Sequence, residues 1–493
     1  MSDFLQRLLS LLSYNSAEPM IFSSGVFLWL FAAFIAIYVA LRRHDTARII
    51  FVTCFSYYFY YKSSGFYFFL LAVVTVSDFI IARTMQQVER KGLRKLLVAL
   101  SLTINLGLLC YFKYTNFFGE VWASAMGLHF DALDIFLPVG ISFFTFQSLS
   151  YTIDVYRRRI EPLHSLLDYA FYVSFFPQLV AGPIVRARDF IPQIRKPLCV
   201  TRTMLGTGVL YIAGGVVKKI VISDYISVNF VERIFDNPSL YTGFENLMGV
   251  YGYALQIYCD FSGYSDMAIG LALLLGFRFN INFDSPYKSA SITEFWRRWH
   301  ISLSSWLKDY LYISLGGNRR GKVRQHINLI ITMLLGGLWH GASLNFVLWG
   351  LLHGVALSVH KLWMGITGFK ADHRHSNRLV RAACILVTFH FVCLCWILFR
   401  NTHFANSMTM LQQIANNFHP DVAWQWASGY PQVLTLMVVG YVLHFVPASA
   451  KTALRRSAAR MPMWAYVLML VATAFVVVQF KSADIQPFIY FQF

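Results

Sequence analysis

The run Ile327–Ala342, "INLIITMLLGGLWHGA", is among the least polar stretches of the chain, yet it carries a titratable histidine, His340. Burying an imidazole in hydrocarbon is costly, because its ring nitrogens lose water and must find polar partners or an aqueous cavity. Continued to Leu352, the run exceeds the roughly 20 apolar residues that a helix needs to cross a bilayer. It therefore predicts a membrane-spanning segment that contains a histidine.

The composition also places the chain in a membrane. Of its 493 residues, 57% are hydrophobic and 13% are charged, which is too much apolar surface for an ordinary water-soluble core. We predict an all-α, polytopic integral membrane protein with about eleven transmembrane helices, plus re-entrant and interfacial helices. Five apolar runs approach the length of a span: Ile21–Leu41, Ile135–Ile153, Ile327–Leu352, Ala382–Phe399 and Met463–Phe480. Six more are shorter or charged: Ile49–Tyr61, Ser64–Ala82, Leu96–Phe112, Leu166–Val185, Thr203–Val217 and Val433–Val446.

The distribution of charge indicates which loops face the cytoplasm. The chain has 42 Lys and Arg against 24 Asp and Glu, a formal net charge of +18. The cations concentrate in four loops: Arg42–Arg48, Arg83–Lys95, Arg157–Arg159 and Arg278–Arg324. Short basic loops remain on the cytoplasmic side, and these suit an anionic lipid bilayer better than a nucleic acid, so no nucleic-acid partner is expected. Between Arg186 and Lys219 the rule gives contradictory sides, which predicts a re-entrant piece.

Several common site patterns are missing or incomplete. The seven cysteines lie mostly in apolar runs without the paired spacing of a zinc site, so we expect buried thiols and no metal. The stretch Gly316–Val323, "GGNRRGKV", nearly spells a phosphate loop, but Val323 replaces the hydroxyl that would hold magnesium. It argues against a nucleotide triphosphatase, although such a basic loop can contact ligand phosphates. The G-x-S-x-G elbow of a serine hydrolase does not occur.

Two carboxylates lie in the apolar region Tyr251–Gly276. Asp260 and Asp266 must face protein or water rather than lipid. At a separation of six residues they do not share a helix face well. We expect them to form hydrogen bonds within a tightly folded re-entrant turn.

A second histidine belongs to an amphipathic segment of the most basic loop. Ser291 followed by Glu294 is a capping-box pattern, so a helix is predicted to begin there and to continue through "FWRRWHISLSSWLKDYLY". At about 100° per residue its apolar side chains share an arc of roughly 160°, which is typical of a helix lying in the membrane interface. His300 is the one ionisable residue on that apolar face. It is either an amphipathic side chain near the lipid headgroups or a functional group.

Helix geometry places His340 deep in the membrane. If a helix begins near Asn328, just after the basic loop, His340 lies about 18 Å from its start. The Gly337-to-Gly341 spacing permits close helix approach within the chain or in a dimer. A single histidine here is most simply a core residue satisfied by a neighbour. Two histidines, one of them on an inward-facing interfacial helix, indicate instead a reaction site reached from the cytoplasm.

Longer stretches resemble a known family. "EFWRRWHISLSSWLKDYLYISLGGNRRG" (294–321) and "GGLWHGASLNFVLWGLLHG" (336–354) are similar to the membrane-bound O-acyltransferases, in particular to the bacterial branch with the alginate O-acetyltransferase membrane subunit and the D-alanyl transferase of teichoic acids. Further similarities are "MIFSSGVFLWLF" from Met20, "LPVGISFFTFQSLSYTIDVYR", "FFPQLVAGPIVR", "YCDFSGYSDMAIG" and the terminal "FIYFQF". The resemblance implies an N-terminal amphipathic extension (1–20), a catalytic core around a central funnel (21–400), and a C-terminal loop with the last two transmembrane helices (401–493).

The resemblance also implies roles for individual residues. His340 matches the catalytic membrane histidine, and His300 matches the second polar position paired with it. Transfer of an acyl group from a thioester to a hydroxyl requires a general base, and histidine, with an unperturbed pKa of about 6.5, suits that role; an acyl-histidine intermediate is the alternative. Four residues are expected to support the pair: Trp339, Asn345, Asp260 and Asp266. Six cations are expected to attract the phosphates of coenzyme A or of a carrier arm: Arg297, Arg298, Lys308, Arg319, Arg320 and Lys322.

The family likeness further implies a direction of transfer. Acetyl-CoA would be the cytoplasmic donor substrate, with no permanently bound cofactor. The acetyl group would cross the bacterial cytoplasmic (inner) membrane to a periplasmic or extracellular esterase-like acetyltransferase partner, which modifies a cell-surface polysaccharide acceptor. One alternative is a D-alanyl or lipid O-acyltransferase of the same fold. Another is a proton-coupled membrane transporter with intramembrane His and Asp, which predicts inverted repeats that the sequence does not display.

Overall fold

The computed structural model describes residues 6, 10–15, 19–368, 377–401, 403–480 and 488–489. Every regular element in these ranges is a helix, which confirms the all-α fold class. The α-helices of the described chain are, in order, Gly25–Ala40 (α1), Asp45–Ser64 (α2), Phe68–Gln87 (α3), Lys91–Leu109 (α4), Thr115–Met126 (α5), Ile141–Tyr156 (α6), Leu166–Ser174 (α7), Phe176–Leu179 (α8), Ala187–Ile194 (α9), Arg202–Val216 (α10), Glu232–Asp236 (α11), Gly243–Leu274 (α12), Ile292–Arg298 (α13), Ile301–Trp306 (α14), Lys322–His340 (α15), Leu344–Thr367 (α16), Arg378–Arg400 (α17), Phe404–Asn416 (α18), Ala423–Gly429 (α19), Pro431–Phe445 (α20), Ala448–Ala458 (α21) and Met463–Phe480 (α22). Short 3₁₀ and π segments are Gly65–Tyr67, Cys110–Tyr114, Val217–Asp224, Ser227–Val231, Pro238–Leu240, Pro286–Lys288, Leu307–Tyr312 and Pro420–Val422.

The described chain has fewer helical stretches long and apolar enough to cross a membrane than the predicted number of spans. By length and composition, six helical stretches of the described chain can cross a membrane, or seven if the bent pair α20 and α21 forms one span. The six are Asp45–Gln87, Lys91–Met126, Arg202–Asp236, Leu344–Thr367, Arg378–Arg400 and Met463–Phe480. The expected count of about eleven is therefore not confirmed. Part of the difference arises because apolar runs are divided: Leu166–Val185 is interrupted at Phe175, whose extended backbone separates α7 from α8.

The chain folds into two compact units, residues Met1–Gly208 with Met267–Asn280, and Val209–Asp266 with Ile281–Phe493. The first unit contains an aromatic cluster in which the ring centroid of Phe176 lies 5.2 Å from that of Phe55 and 5.5 Å from that of Phe34. The division into 1–20, 21–400 and 401–493 stays a prediction. Most of the amphipathic stretch predicted at its start, and all of "FIYFQF" except its first two residues, lie outside the described residues.

Glycines in the second unit let α15 and α16 pack against each other. The predicted single span Ile327–Leu352 is wrong, because Gly341 is extended and the chain turns back after it. A Cβ atom on Gly337 would collide with the carbonyl oxygen of Phe346, and one on Gly350 would collide with that of Met333. Side chains at these positions would push the two helix backbones apart. The glycine spacing therefore serves contact within the chain.

The helix α12 is continuous, contrary to the predicted re-entrant turn at Asp260 and Asp266. It runs for 32 residues from Gly243 to Leu274. Lys219 and Lys218 follow one another in the π segment Val217–Asp224. They form ion pairs with Asp260 and Asp266 of α12, respectively. Because each carboxylate has a cationic partner, no turn is needed to satisfy it.

Substituting Gly350 with Ala should destabilise the protein, because the new methyl group meets the backbone of α15 and overpacking of this kind costs about 1–3 kcal/mol. Gly365→Ala is the matched control on the same helix, where a Cβ meets nothing within 4 Å and alanine favours the helix by up to about 1 kcal/mol. The melting temperature of the purified protein should fall for Gly350→Ala and stay level or rise for Gly365→Ala. An equal response of the two variants would contradict the packing described for α15 and α16.

Candidate active site

His340 is the last residue of α15 and only 2% of it is exposed. Three aromatic rings surround it edge-on. The ring centroids of Trp339 and Trp349 each lie 5.0 Å from that of the imidazole, and that of Phe399 lies 5.1 Å away. The helix ends here because Gly341 continues the chain in an extended conformation. Side chains from α15, α16 and α17 thus form an aromatic pocket around this histidine.

His300 does not lie on one continuous amphipathic helix, so that prediction is wrong. The Oγ atom of Ser291 does cap the helix, accepting from the amide of Glu294 at 3.1 Å. However, α13 ends at Arg298 and α14 begins at Ile301. Between them His300 has a left-handed backbone with a φ of 42°, a region that histidine enters more often than most residues do.

Backbone pairing with an upstream segment breaks this helix. The amide of Asp284 donates to the carbonyl oxygen of Arg298, and the amide of Ile301 donates to that of Asn282, both at 2.9 Å. These bonds take a donor and an acceptor that an unbroken helix would pair internally. The helical periodicity of the local sequence cannot reveal such a competing partner.

Asn282 fixes the imidazole of His300. Its Oδ1 atom accepts from the His300 ring at Nδ1 over 3.3 Å, and from the amide and hydroxyl of Ser302 at 3.1 and 2.9 Å. Asn282 is itself buried, and its Nδ2 donates to Ser265 at 3.3 Å. Because a carboxamide oxygen only accepts, this network assigns the proton of neutral His300 to Nδ1 and leaves Nε2 as an acceptor.

Trp339 contacts both histidines. Its ring centroid lies 5.9 Å from that of His300 and 5.0 Å from that of His340. On another side, Phe261 of α12 packs perpendicular to the His300 ring at 4.6 Å. The structure therefore brings the two predicted catalytic residues to one indole, together with Trp339 itself, a predicted supporting residue.

Burial determines the protonation state of His300, which lies between α13 and α14 and outside the six candidate spans. It is completely buried among aromatic rings, and this desolvation lowers its pKa to about 3. The imidazole is consequently neutral at physiological pH. It can take part in hydrogen bonding but cannot act as a cation.

The six predicted donor-binding cations divide into two groups. Five have exposed side chains: Arg297, Lys308, Arg319, Arg320 and Lys322. The last three belong to residues 316–322, here called the basic turn, which ends at the first residue of α15. Arg298 is instead engaged in the fold, with ion pairs to Glu294 at 2.9 Å and Asp284 at 3.2 Å. The basic turn is anchored by Asn328, whose Nδ2 donates to the carbonyl oxygen of Gly317 at 2.9 Å.

The two predicted supporting carboxylates form ion pairs. Asp260 is buried and lies 2.5 Å from Lys219 Nζ, and its other oxygen accepts from the amide of Ile489 at 3.0 Å. Asp266 pairs with Lys218 at 2.6 Å. Within the part of the chain that the structure describes, no three His, Cys, Asp or Glu side chains gather as a metal ion would require.

The remaining supporting residue, Asn345, ties α16 to the end of α17. Its Nδ2 donates to the carbonyl oxygen of Asn401 at 2.6 Å, and the side chain of Asn401 donates to the carbonyl of Ile397 at 3.0 Å. These bonds hold the turn of α17 that carries Phe399. Asn345 therefore holds the end of α17, which carries one ring of the His340 pocket.

Sequence reasoning missed three residues of this site. Asn282 carried no recognisable signal, because its partner lies 18 residues away along the chain. Trp349 and Phe399 resembled ordinary apolar residues of long runs. A tryptophan nine residues after His340, beyond a glycine turn, is consistent with a second helix folding back, which is the signal that could have found it.

Comparison with known proteins places this site in a family. The model of the membrane-bound O-acyltransferase family matches residues 156–401, which include both histidines. A probable alginate O-acetylase of Pseudomonas aeruginosa is 40% identical over 390 residues, which cover 77% of this chain and 72% of that protein. The chain belongs to the membrane-bound O-acyltransferase family.

Other relatives in this family carry different names. A peptidoglycan O-acetyltransferase of Helicobacter pylori is 37% identical over 367 residues, or 68% of each chain. A teichoic acid D-alanyltransferase of Bacillus subtilis is 30% identical over 281 residues, which cover 54% of this chain and 69% of that protein. The chain is thus a multi-pass membrane O-acyltransferase, as its resemblance to the bacterial branch predicted, and the alternative of a transporter is set aside.

The stability of the protein should depend on pH through His300. The unfolded chain binds this proton at a pKa of about 6.5, whereas the folded chain binds it only near 3. The free energy of unfolding is therefore highest above pH 6.5 and decreases as the pH falls towards 3. The decrease is on the order of 1 kcal/mol over the first pH unit below 6.5.

His300→Asn removes the titrating group and tolerates the left-handed backbone. Between about pH 7.5 and 5.5, the melting temperature of the wild type should fall further than that of His300→Asn, since all other histidines are common to both. Parallel curves would show that His300 titrates near its ordinary pKa and is not desolvated.

Proposed function

We propose that this O-acyltransferase transfers an acetyl group from cytoplasmic acetyl-CoA across the bacterial inner membrane for the O-acetylation of a cell-surface polysaccharide. The observation that carries the proposal is the contact of His300 and His340 with one indole in a buried aromatic pocket. Relatives named as alginate and peptidoglycan O-acetylating proteins support the choice of acetyl group and polymer. The teichoic acid D-alanyltransferase relative is less similar, so D-alanyl transfer is the less favoured donor chemistry.

In the proposed mechanism His340 is the general base. Its imidazole takes the proton of the acceptor hydroxyl while that oxygen forms a bond to the thioester carbonyl carbon. The carbon–sulfur bond then breaks, and the thiolate of coenzyme A receives a proton from the imidazolium. The aromatic pocket excludes water, which keeps the acyl group from hydrolysis during this step.

His300 is proposed to orient the thioester donor in the same step. Its Nδ1–H is engaged by Asn282, so in this tautomer Nε2 of the neutral imidazole can only accept a hydrogen bond. In the proposal it accepts one from an amide N–H of the donor's pantetheine arm and so orients the thioester, which leaves the single proton of the acceptor hydroxyl to His340. A neutral ring is suited to this role, because a cation at this position would repel the protonated form of His340.

The exposed cations of the basic turn are proposed to receive the donor. Arg319, Arg320 and Lys322 follow one another closely in a glycine-rich turn with exposed side chains. Such a cluster attracts the phosphates of coenzyme A before the thioester reaches the pocket. Arg298 is left out of this role, because its ion pairs with Glu294 and Asp284 hold the chain near His300.

A partner completes the proposed pathway. We expect an extracytoplasmic, esterase-like acetyltransferase to receive the acetyl group and to modify the polysaccharide. Membranes that contain this chain and acetyl-CoA should therefore acetylate a soluble model acceptor slowly alone and faster with that partner. A D-alanyl thioester offered in place of acetyl-CoA tests the alternative donor directly.

His340→Ala should reduce acetyl transfer by about 10²- to 10⁴-fold, because the general base is lost. The matched control is His326→Ala on the first turns of the same helix. Transfer is measured in membranes as acetyl-CoA-dependent release of coenzyme A thiol and as acetylation of the polymer. Full acetylation by well-expressed His340→Ala protein would defeat the assignment.

Removal of three cations, as Arg319→Ala, Arg320→Ala and Lys322→Ala together, should raise the KM for acetyl-CoA at least about tenfold and leave kcat near the wild-type value. The effect should shrink as salt is added, because exposed charges are screened. Arg42→Ala with Arg43→Ala, an exposed pair in another basic loop, is the control. An unchanged KM in the triple variant, or the same rise in the control, would exclude the basic turn as the donor site.

A further inference from the structure

A second polar region of the molecule surrounds the junction of α20 and α21. The two helices meet at an angle of 91° around Val446–Pro447. The first is apolar, whereas the second carries Lys451, Arg455 and Arg456 and is largely exposed. An abrupt change from an apolar helix to a perpendicular basic one is typical of a chain that reaches the membrane surface and turns along it.

A cavity of about 240 Å³ lies beside this junction, within the second unit. It is bounded by α10 with the π segment that follows, by α12, and by the helices α20 and α21. Its polar and charged wall includes Tyr211, Lys218, Asp266, His444, Lys451 and Arg455. Three cations therefore face a space that also contains one carboxylate.

The charges in this cavity do not cancel. Asp266 is matched to Lys218, which it approaches to 2.6 Å. Lys451 is held by a neutral partner, with its Nζ donating to the hydroxyl of Ser285 at 2.6 Å. The guanidinium of Arg455 lies 5.7 Å from the ring centroid of Tyr211, again a neutral partner. Two positive charges thus remain available for an anion.

Apolar side chains adjoin these cations. Leu210, Leu443 and Leu454 also line the cavity, and the last two are more than half exposed. Val438 and Val442, on the same apolar helix as Leu443, are also more than half exposed. A ligand for this surface needs an anionic group for the cations and hydrocarbon for the adjoining helix.

We propose that this cavity binds the phosphate of an anionic phospholipid, with Lys451 and Arg455 on the phosphate oxygens and an acyl chain along α20. Arginine suits this contact because its planar guanidinium can engage two phosphate oxygens at once. Coenzyme A also carries phosphates but has no long hydrocarbon chain. A binding measurement can therefore distinguish a phospholipid from coenzyme A at this site. The site is independent of acyl transfer, and its test requires no activity.

The test uses the purified full-length chain in detergent and measures binding of phosphatidylglycerol, phosphatidylcholine and coenzyme A by native mass spectrometry. Lys451→Ala with Arg455→Ala should weaken phosphatidylglycerol binding at least tenfold. The matched control is Arg456→Ala with Arg460→Ala, which removes the same charge from the same part of the chain without touching the cavity. It should stay within threefold of the wild type, and the wild type should prefer phosphatidylglycerol to phosphatidylcholine.

The proposal is overturned if Lys451→Ala/Arg455→Ala binds phosphatidylglycerol as the wild type does, or if the control loses as much. It is also overturned if these substitutions weaken the binding of coenzyme A and leave that of phosphatidylglycerol unchanged. Arg455→Gln alone, on an exposed helix surface, guards against a folding defect of the double variant. It should weaken phosphatidylglycerol binding at least threefold, whereas Arg455→Lys, which keeps the charge but loses the bidentate contact, should weaken it less.

Discussion

The close backbone packing of α15 against α16 determines where His340 lies. Gly337 and Gly350 permit it, since a methyl group on either would meet a carbonyl oxygen of the other helix. The turn between these helices therefore follows directly after His340, and the chain returns with Trp349 against the imidazole. Packing against the aromatic rings of Trp339, Trp349 and Phe399 restricts the orientation of this histidine at the end of its helix.

The second histidine, His300, is held by hydrogen bonds. His300 interrupts a helix where the chain pairs with the segment around Asn282, and the carboxamide of that residue selects one tautomer. The indole of Trp339 packs against both imidazole rings. One imidazole is thus placed by steric packing and the other by hydrogen bonds. This arrangement suits a reaction in which one ring moves a proton and the other orients the thioester donor.

The sequence predicted the class of the protein well and its helix breaks poorly. Composition and apolar run length depend on local properties, so the all-α membrane fold could be predicted from the sequence, whereas the catalytic roles of His300 and His340 stay predictions. The Gly337-to-Gly341 spacing predicted close approach of helices, but it did not predict that the chain turns at Gly341. The continuous α12 was missed because the lysines that neutralise Asp260 and Asp266 lie more than 40 residues earlier. In each case a partner distant in sequence decided the local conformation.

His300 and His340 are proposed to face the same reacting groups. The most direct test of this proposal is an experimental structure of the chain with a non-hydrolysable acetyl-CoA analogue in which a ketone replaces the thioester. We predict that the ketone oxygen lies beside Trp339, between the imidazoles of His300 and His340 and within hydrogen-bonding reach of them. The phosphates of the analogue should lie near Arg319–Lys322. An analogue whose ketone lies away from both rings, while the protein retains full activity, would contradict it.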